Sequence, residues 1–146
     1  MQKNRHCWLE AGMSFTPAAL QIVVPVRDPE LTQAALRHAG TLGHDLNVCL
    51  RLIDIHVVPY ALPLNKPTVS CRMLEMKLRA LAEEIEEPVC PELIYARDWE
   101  EGFRRVLKPR SIVIFGIRRT WWPTRDKRMS ERLRRHGHQV IWVECN

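Results

Sequence analysis

Short apolar runs rich in β-branched residues alternate along this chain with segments whose apolar residues recur at helical spacing. The pattern predicts five strands separated by four helices. Such an alternation folds as a parallel sheet with helices on both faces. We therefore expect an α/β three-layer sandwich. Right-handed crossovers favour a doubly wound sheet with the strand order 3-2-1-4-5.

Local signals predict where the elements begin and end. Asp28 and Asp98 are predicted N-caps, and Pro29 suits the first helical position. Ser70 is the predicted N-cap of the second helix, and Gly137 is predicted to end the last helix at its C′ position. The predicted strands are Gln21–Val26, Val48–Val58, Glu92–Ala96, Ser111–Phe115 and Val140–Val143.

The second helix is predicted to carry its apolar pattern through Ile85, with Pro88 and Pro91 closing it. Four glutamates near its end are unfavourable beside the negative end of a helix dipole. The last helix is predicted from about Asp126 to Arg135.

The length of 146 residues suits one domain, which we place at residues 20–146 after a tail of residues 1–19. Met13 is an alternative start, which would give residues 1–12 little structural weight. The chain shows neither a signal-peptide pattern nor an apolar run of about 20 residues. Its five cysteines are odd in number and form no C-x-x-C pair, so free thiols in a reducing cytoplasm are expected.

Positive charge is concentrated in one segment. Between Arg104 and Arg135 there are twelve basic residues and only two acidic ones, Asp126 and Glu131. The net charge of +5 therefore divides into +10 for this segment and −5 for the rest. The segment is either a solvated helical face or a surface for an anionic partner.

The end of the fourth strand carries unusual side chains for a ligand site. Gly116 is followed by two arginines and two tryptophans, where a phosphate-binding loop would have several glycines. In a doubly wound sheet this segment lies at the switch point between strands one and four, where ligands bind. The arginines could meet a phosphate while a tryptophan stacks on a base. Alternatively, Trp121-Trp122-Pro123 packs as a hydrophobic plug over the crevice.

Several segments in their order resemble the universal stress protein A family over residues 20–144. They are Ile22–Val26, the helix containing Ala34-Ala35-Leu36, Leu52–Pro59, and Ala96–Phe103 leading into Ser111–Gly116. The resemblance implies an adenine-nucleotide-hydrolase-like fold. It also implies a homodimer paired through the last strand, at Val140, Ile141, Trp142 and Val143. The family contains both ATP-binding and non-binding members.

The chain departs from the family's ATP-binding pattern. Those members resemble Pro-x-Asp at the end of strand one and Gly-x-x-Gly-x9-Gly-Ser/Thr after strand four. Here Arg27 stands at the aspartate position, and Arg119 and Met129 stand at two glycine positions. Backbone N–H groups cannot approach a phosphate where side chains intervene. The candidate cofactor-binding residues are Pro25, Arg27, Asp28, Val57, Gly116, Arg118, Arg119, Trp121, Trp122 and Ser130.

We therefore expect a dimeric regulatory or scaffold domain that is not an enzyme and not a conventional ATP binder. One alternative is a module that binds an anionic nucleotide, such as an adenine nucleotide, through the Arg/Trp segment. Another is nucleic-acid binding by the +10 segment. No Ser/His/Asp signature and no metal-ligand spacing stands out, so neither catalytic nor metal-binding residues are assigned.

Overall fold

The computed structural model describes residues 20–44, 46, 48–64, 71–119 and 124–145. They form a five-stranded parallel sheet in the order β3-β2-β1-β4-β5, which confirms the predicted fold class and strand order. The elements are β1 Leu20–Pro25, α1 Pro29–Gly43, β2 Val48–Val57, α2 Cys71–Ala82, β3 Val89–Ala96, α3 Trp99–Val106, β4 Ile112–Arg118, α4 Arg125–Arg135 and β5 Gln139–Cys145.

Each face of the sheet has its own apolar core, because successive strand residues point to opposite faces. Helices α1 and α2 cover one face, and α3 and α4 cover the other. The first core includes Ile22, Val24, Leu36, Leu52 and Ile114. The second includes Val23, Ile53, Phe103, Phe115 and Met129. Both faces are therefore covered, as an all-parallel sheet requires.

The predicted helix caps are confirmed where the structure describes them. Asp28 Oδ1 accepts a hydrogen bond from the Leu31 amide at 3.1 Å, and Asp98 Oδ1 accepts one from the Glu101 amide at 2.8 Å. Gly137 follows the C-cap of α4 and has a φ of 91°, the left-handed conformation that glycine adopts without strain. Ser70 lies outside the described residues.

Two predicted boundaries around the second helix are wrong. Helix α2 ends at Ala82 rather than near Ile85, so the glutamates follow the helix instead of forming its last turns. Strand β3 begins at Val89 rather than Glu92, and it contains Pro91. The sequence interpretation treated that proline as a helix terminator. An edge strand accepts it, because one side of such a strand has no ladder to complete.

The fourth strand is also longer than predicted. It continues through Arg118 rather than ending at Phe115, so Gly116 lies inside the strand and pairs with Val143 of β5. Strands β1 and β4 pair only at Ile22–Ile112 and Val23–Val113. The pairing stops there, and in doubly wound sheets this switch point is where a ligand crevice lies.

Candidate functional site

The polar groups of the turn between β1 and α1 form hydrogen bonds with one another. The Arg27 amide donates to Thr32 Oγ1 at 2.8 Å, and the Thr32 hydroxyl donates to the Asp28 carbonyl at 3.0 Å. Asp28 also caps the helix through the Leu31 amide. The amides of Arg27 and Leu31 therefore already have partners within the turn and are not available to a bound phosphate.

Gly116 has a packing role in this crevice. A Cβ atom built at Gly116 would lie 2.0 Å from the Leu31 carbonyl oxygen, far inside van der Waals contact. Only glycine lets the first turn of α1 lie against β4 at this distance. The backbone of α1 thus occupies the space beside Gly116 on that face of the sheet.

The side chain of Arg27 crosses from β1 to α4. Its Nε atom lies 3.1 Å from Asp126 Oδ1 and donates a hydrogen bond to Oδ2 at 3.2 Å. Asp126 is only 7% exposed and sits in the first turn of α4, near the positive end of that helix dipole. This ion pair joins the two sides of the switch point.

An aromatic ring packs against the Arg27 guanidinium. Trp99, the first residue of α3, is 7% exposed, and the Arg27 guanidinium lies 4.5 Å from its ring centroid. The Arg125 guanidinium lies 4.3 Å from the same ring. Cation–π attraction to Arg27 and Arg125 fixes the indole between β1 and α4.

Burial dominates the electrostatics of Asp126. Loss of solvent raises the pKa of its carboxyl above the usual 3.8, while Arg27 and Arg125 act in the opposite direction. Its Oδ1 atom accepts no hydrogen bond from the described residues, although Arg27 is within ion-pair distance. Removing Arg27 would leave this buried carboxylate without its main partner.

Arg118 and Arg119, at the end of β4, are exposed rather than buried in the crevice. Arg118 Nη2 lies 3.2 Å from Asp28 Oδ2 and 3.4 Å from Glu30 Oε2, so it pairs with acids at the start of α1. Hydrogen bonding to Asp28 raises the pKa of Arg118. Trp121 and Trp122 lie outside the described residues.

Three other candidate residues, Pro25, Val57 and Ser130, take no part in the Arg27–Asp126 ion pair. Pro25 is buried as the last residue of β1, and Val57 is 37% exposed at the end of β2. The Ser130 hydroxyl is fully buried, donates to the Asp126 carbonyl at 2.8 Å and accepts from Trp142 Nε1 at 2.7 Å. It thereby connects α4 to β5 rather than facing open space.

The structure brings Arg27, Asp28 and Arg118 together around the first turn of α1. Sequence reasoning missed that Trp99 and Asp126 complete the Arg27 contact. Arg27 and Asp126 are 99 residues apart, and no spacing rule links them. The available signal was that Asp126 is one of only two acids in a strongly basic segment.

Among the described residues, no group of three or more His, Cys, Asp or Glu side chains is arranged to hold a metal ion. No described helix has both the length and the apolar character needed to cross a membrane. Comparison with models of known protein families and with curated proteins finds no match.

Proposed function

We propose that this chain is a regulatory or scaffold domain of the universal-stress type, which forms dimers and carries out no chemistry. The observation that carries the proposal is the Arg27–Asp126 ion pair across the switch point, packed on Trp99. A doubly wound domain that binds nucleotide keeps this crevice open for its ligand. Here Arg27 contacts both Asp126 and Trp99 across the switch point.

The two edges of the sheet support dimerisation through β5. Exposed strand edges recruit other strands unless proline or an inward-pointing charge blunts them. Edge strand β3 contains both features, the proline at Pro91 and the buried charged residue Glu92. Edge strand β5 has the apolar sequence Val140-Ile141-Trp142-Val143 without proline or lysine. A second copy of β5 is the partner proposed for this edge.

Light scattering after size-exclusion chromatography tests the dimer. Val143 and Leu93 are both partly buried apolar residues of edge strands that pack on the same core. Val143→Glu is expected to convert the dimer to monomer, because pairing of two β5 strands would bury the introduced charge in both copies. The matched Leu93→Glu on β3 is expected to leave the dimer intact. A monomeric wild type, or equal effects of the two variants, would contradict the proposal.

Calorimetry with ATP, ADP and AMP tests the closed crevice. The expected result is no binding heat, because Arg27 and the first turn of α1 fill the site. Micromolar binding that Arg118→Ala abolishes would instead support the alternative, an anionic-nucleotide module that uses the Arg/Trp segment.

The exposed face of α4 supports nucleic-acid binding as a second candidate function. Arg125, Arg128, Arg132 and Arg135 are exposed and follow helical spacing along one stripe. Two of them have local partners: Arg132 pairs with Glu100 at 2.7 Å, and Arg125 stacks on Trp99. Retention on DNA or RNA at low salt that falls steeply as salt rises would support this candidate. No retention at low salt would exclude it.

A further inference from the structure

A groove of about 450 Å³ opens between α1 and α2, over β1 and β2. Its walls are mostly apolar and include Val26, Pro29, Leu74, Leu78 and Leu81. Gln33 Nε2 of α1 donates a hydrogen bond to Glu84 Oε2 just beyond α2, which ties the two walls together. The volume is within the range of sites that hold small molecules.

The groove exists because α2 covers the sheet incompletely. Of its twelve residues, Leu78 alone is buried. Leu74 and Leu81 are only half-buried, and both face the groove. A helix on a parallel sheet ordinarily buries a full apolar stripe. A guest between α2 and the sheet would bury the remaining part of this stripe.

A carboxylate also lines the groove. Asp54 lies near the end of β2 and contributes to the groove wall beneath α2. Among the described residues, no hydrogen bond or ion pair reaches its carboxylate. Burial raises the pKa of Asp54, and attraction to His56 on the same strand offsets part of the rise. A half-buried carboxylate that accepts no hydrogen bond from the described part of the protein would be stabilised by a ligand that supplies donors.

A second unmatched polar group lies on the same face of the sheet. The Tyr95 hydroxyl of β3 is buried without a hydrogen-bond partner among the described residues. Burial raises the pKa of Tyr95 to about 12, and Cys71, Glu75 and Asp54 add to the rise. Asp54 therefore lies near enough to the phenol to influence its pKa, while Tyr95 itself is not among the described residues that line the groove.

We propose that this groove is a binding site for a small, mainly apolar molecule carrying a protonated amine, with Asp54 as the anionic partner. An anionic guest would be repelled by Asp54, and a purely apolar guest would desolvate the carboxylate further. An ammonium group supplies both positive charge and several N–H donors. Two cations also border the groove. Lys77 is exposed, so solvent screens its repulsion, and the Arg27 guanidinium is already paired with Asp126 and packed on Trp99. The inference does not depend on the proposed scaffold function.

Titration with 2-phenylethylamine, followed by calorimetry and by amide NMR shifts, tests the site. The matched probe is 2-phenylethanol, which has the same carbon skeleton and no charge. The amine is expected to bind more tightly than the alcohol and to shift amides around Asp54 and Leu78. Asp54→Asn is expected to weaken the amine about tenfold or more, since a charged hydrogen bond is lost. Glu83→Gln removes an exposed carboxylate outside the groove and is expected to change nothing.

Two further measurements separate binding from folding. Asp54→Asn is expected to keep or raise the melting temperature while losing the ligand, because it removes a half-buried charge that no hydrogen bond from the described part of the chain compensates. Leu74→Phe, which adds bulk to the groove wall and leaves Asp54 in place, is expected to weaken the amine as well. The proposal is overturned if the amine fails to bind, binds no better than the alcohol, or binds Asp54→Asn as it binds the wild type.

Discussion

Arg27 makes the main polar contacts at the end of β1. Its backbone amide is used by Thr32, and its guanidinium contacts both Asp126 and Trp99. An acidic side chain at this position would repel the Asp126 carboxylate. Arg27 therefore connects the end of β1 to both α3 and α4.

Arg27→Met tests the strength of this contact. Methionine keeps apolar bulk against Trp99, but it leaves Asp126 buried without its ion-pair partner. We expect a loss of about 3 kcal/mol in the free energy of unfolding, measured by urea denaturation. The double variant Arg27→Met/Asp126→Leu should regain most of that loss. A single variant within about 0.5 kcal/mol of the wild type would show that solvent already screens the pair.

At the scale of elements, one glycine sets the distance between α1 and β4. Gly116→Ala would drive a Cβ into the Leu31 carbonyl, which belongs to a helix and cannot rotate away. We expect destabilisation of about 3 kcal/mol or more, measured by chemical denaturation.

Gly102→Ala is the matched control for that prediction. Its added Cβ would lie 2.7 Å from Ile55 Cγ2, which is a side-chain atom rather than backbone, so a shift of one side chain relieves the contact. Alanine also favours the helix by about 1 kcal/mol relative to glycine. Gly102→Ala should therefore be much milder than Gly116→Ala. Equal effects would contradict the assigned role of the α1 backbone.

A buried ion pair connects β2, β3 and α3. Arg51 Nη2 lies 2.7 Å from Glu92 Oε2, and Arg51 Nη1 also donates to the Val106 carbonyl at the end of α3 and to Gln21 Oε1. Burial raises the pKa of Glu92, and Arg51 offsets part of the rise. The sequence showed Arg51 only as an interruption of an apolar strand.

Arg51→Met should destabilise the protein by about 3–5 kcal/mol, because Glu92 would remain buried and unpaired. The control Arg79→Met changes an exposed arginine in α2 and should stay within about 0.5 kcal/mol of the wild type. Thermal and urea unfolding measure both. Similar losses in the two variants would contradict the role assigned to the buried pair of Arg51 and Glu92.

For the whole molecule, three shielded carboxyls influence how stability depends on pH. Burial raises the folded-state pKa of Asp54, Glu92 and Asp126 above their ordinary values of 3.8, 4.5 and 3.8. At a pH above its ordinary pKa, each carboxyl loses its proton more readily in the unfolded chain than in the folded state. The folded state then binds more protons, so this contribution to stability falls as pH rises toward the folded pKa.

Asp54→Asn isolates one of these contributions. The difference in unfolding free energy between variant and wild type should be small below pH 3.8. It should increase in favour of the variant as pH rises, by at most about 1.4 kcal/mol per pH unit, and level off above the folded pKa. Urea denaturation from pH 3 to pH 7 measures it. A difference independent of pH would contradict the raised pKa.

Local signals were sufficient for the order of elements, the fold class and the caps at Asp28 and Asp98. Hydrophobic period and capping chemistry act over a few residues, so a single sequence contains them. The start of β3 was missed because Pro91 reads as a terminator unless the strand is known to be an edge. The sequence placed its candidate site at the carboxyl edge of the sheet but did not indicate the contact between Arg27 and Asp126.

The sequence by itself determined that this chain forms a doubly wound parallel sheet, because its apolar periods permit little else. Only the tertiary structure decided what occupies the carboxyl edge. Arg27 finds Asp126 across 99 residues, Gly116 admits the α1 backbone, and Asp54 faces a groove that α2 leaves open. These outcomes depend on distances between elements far apart in the chain, which no local pattern specifies.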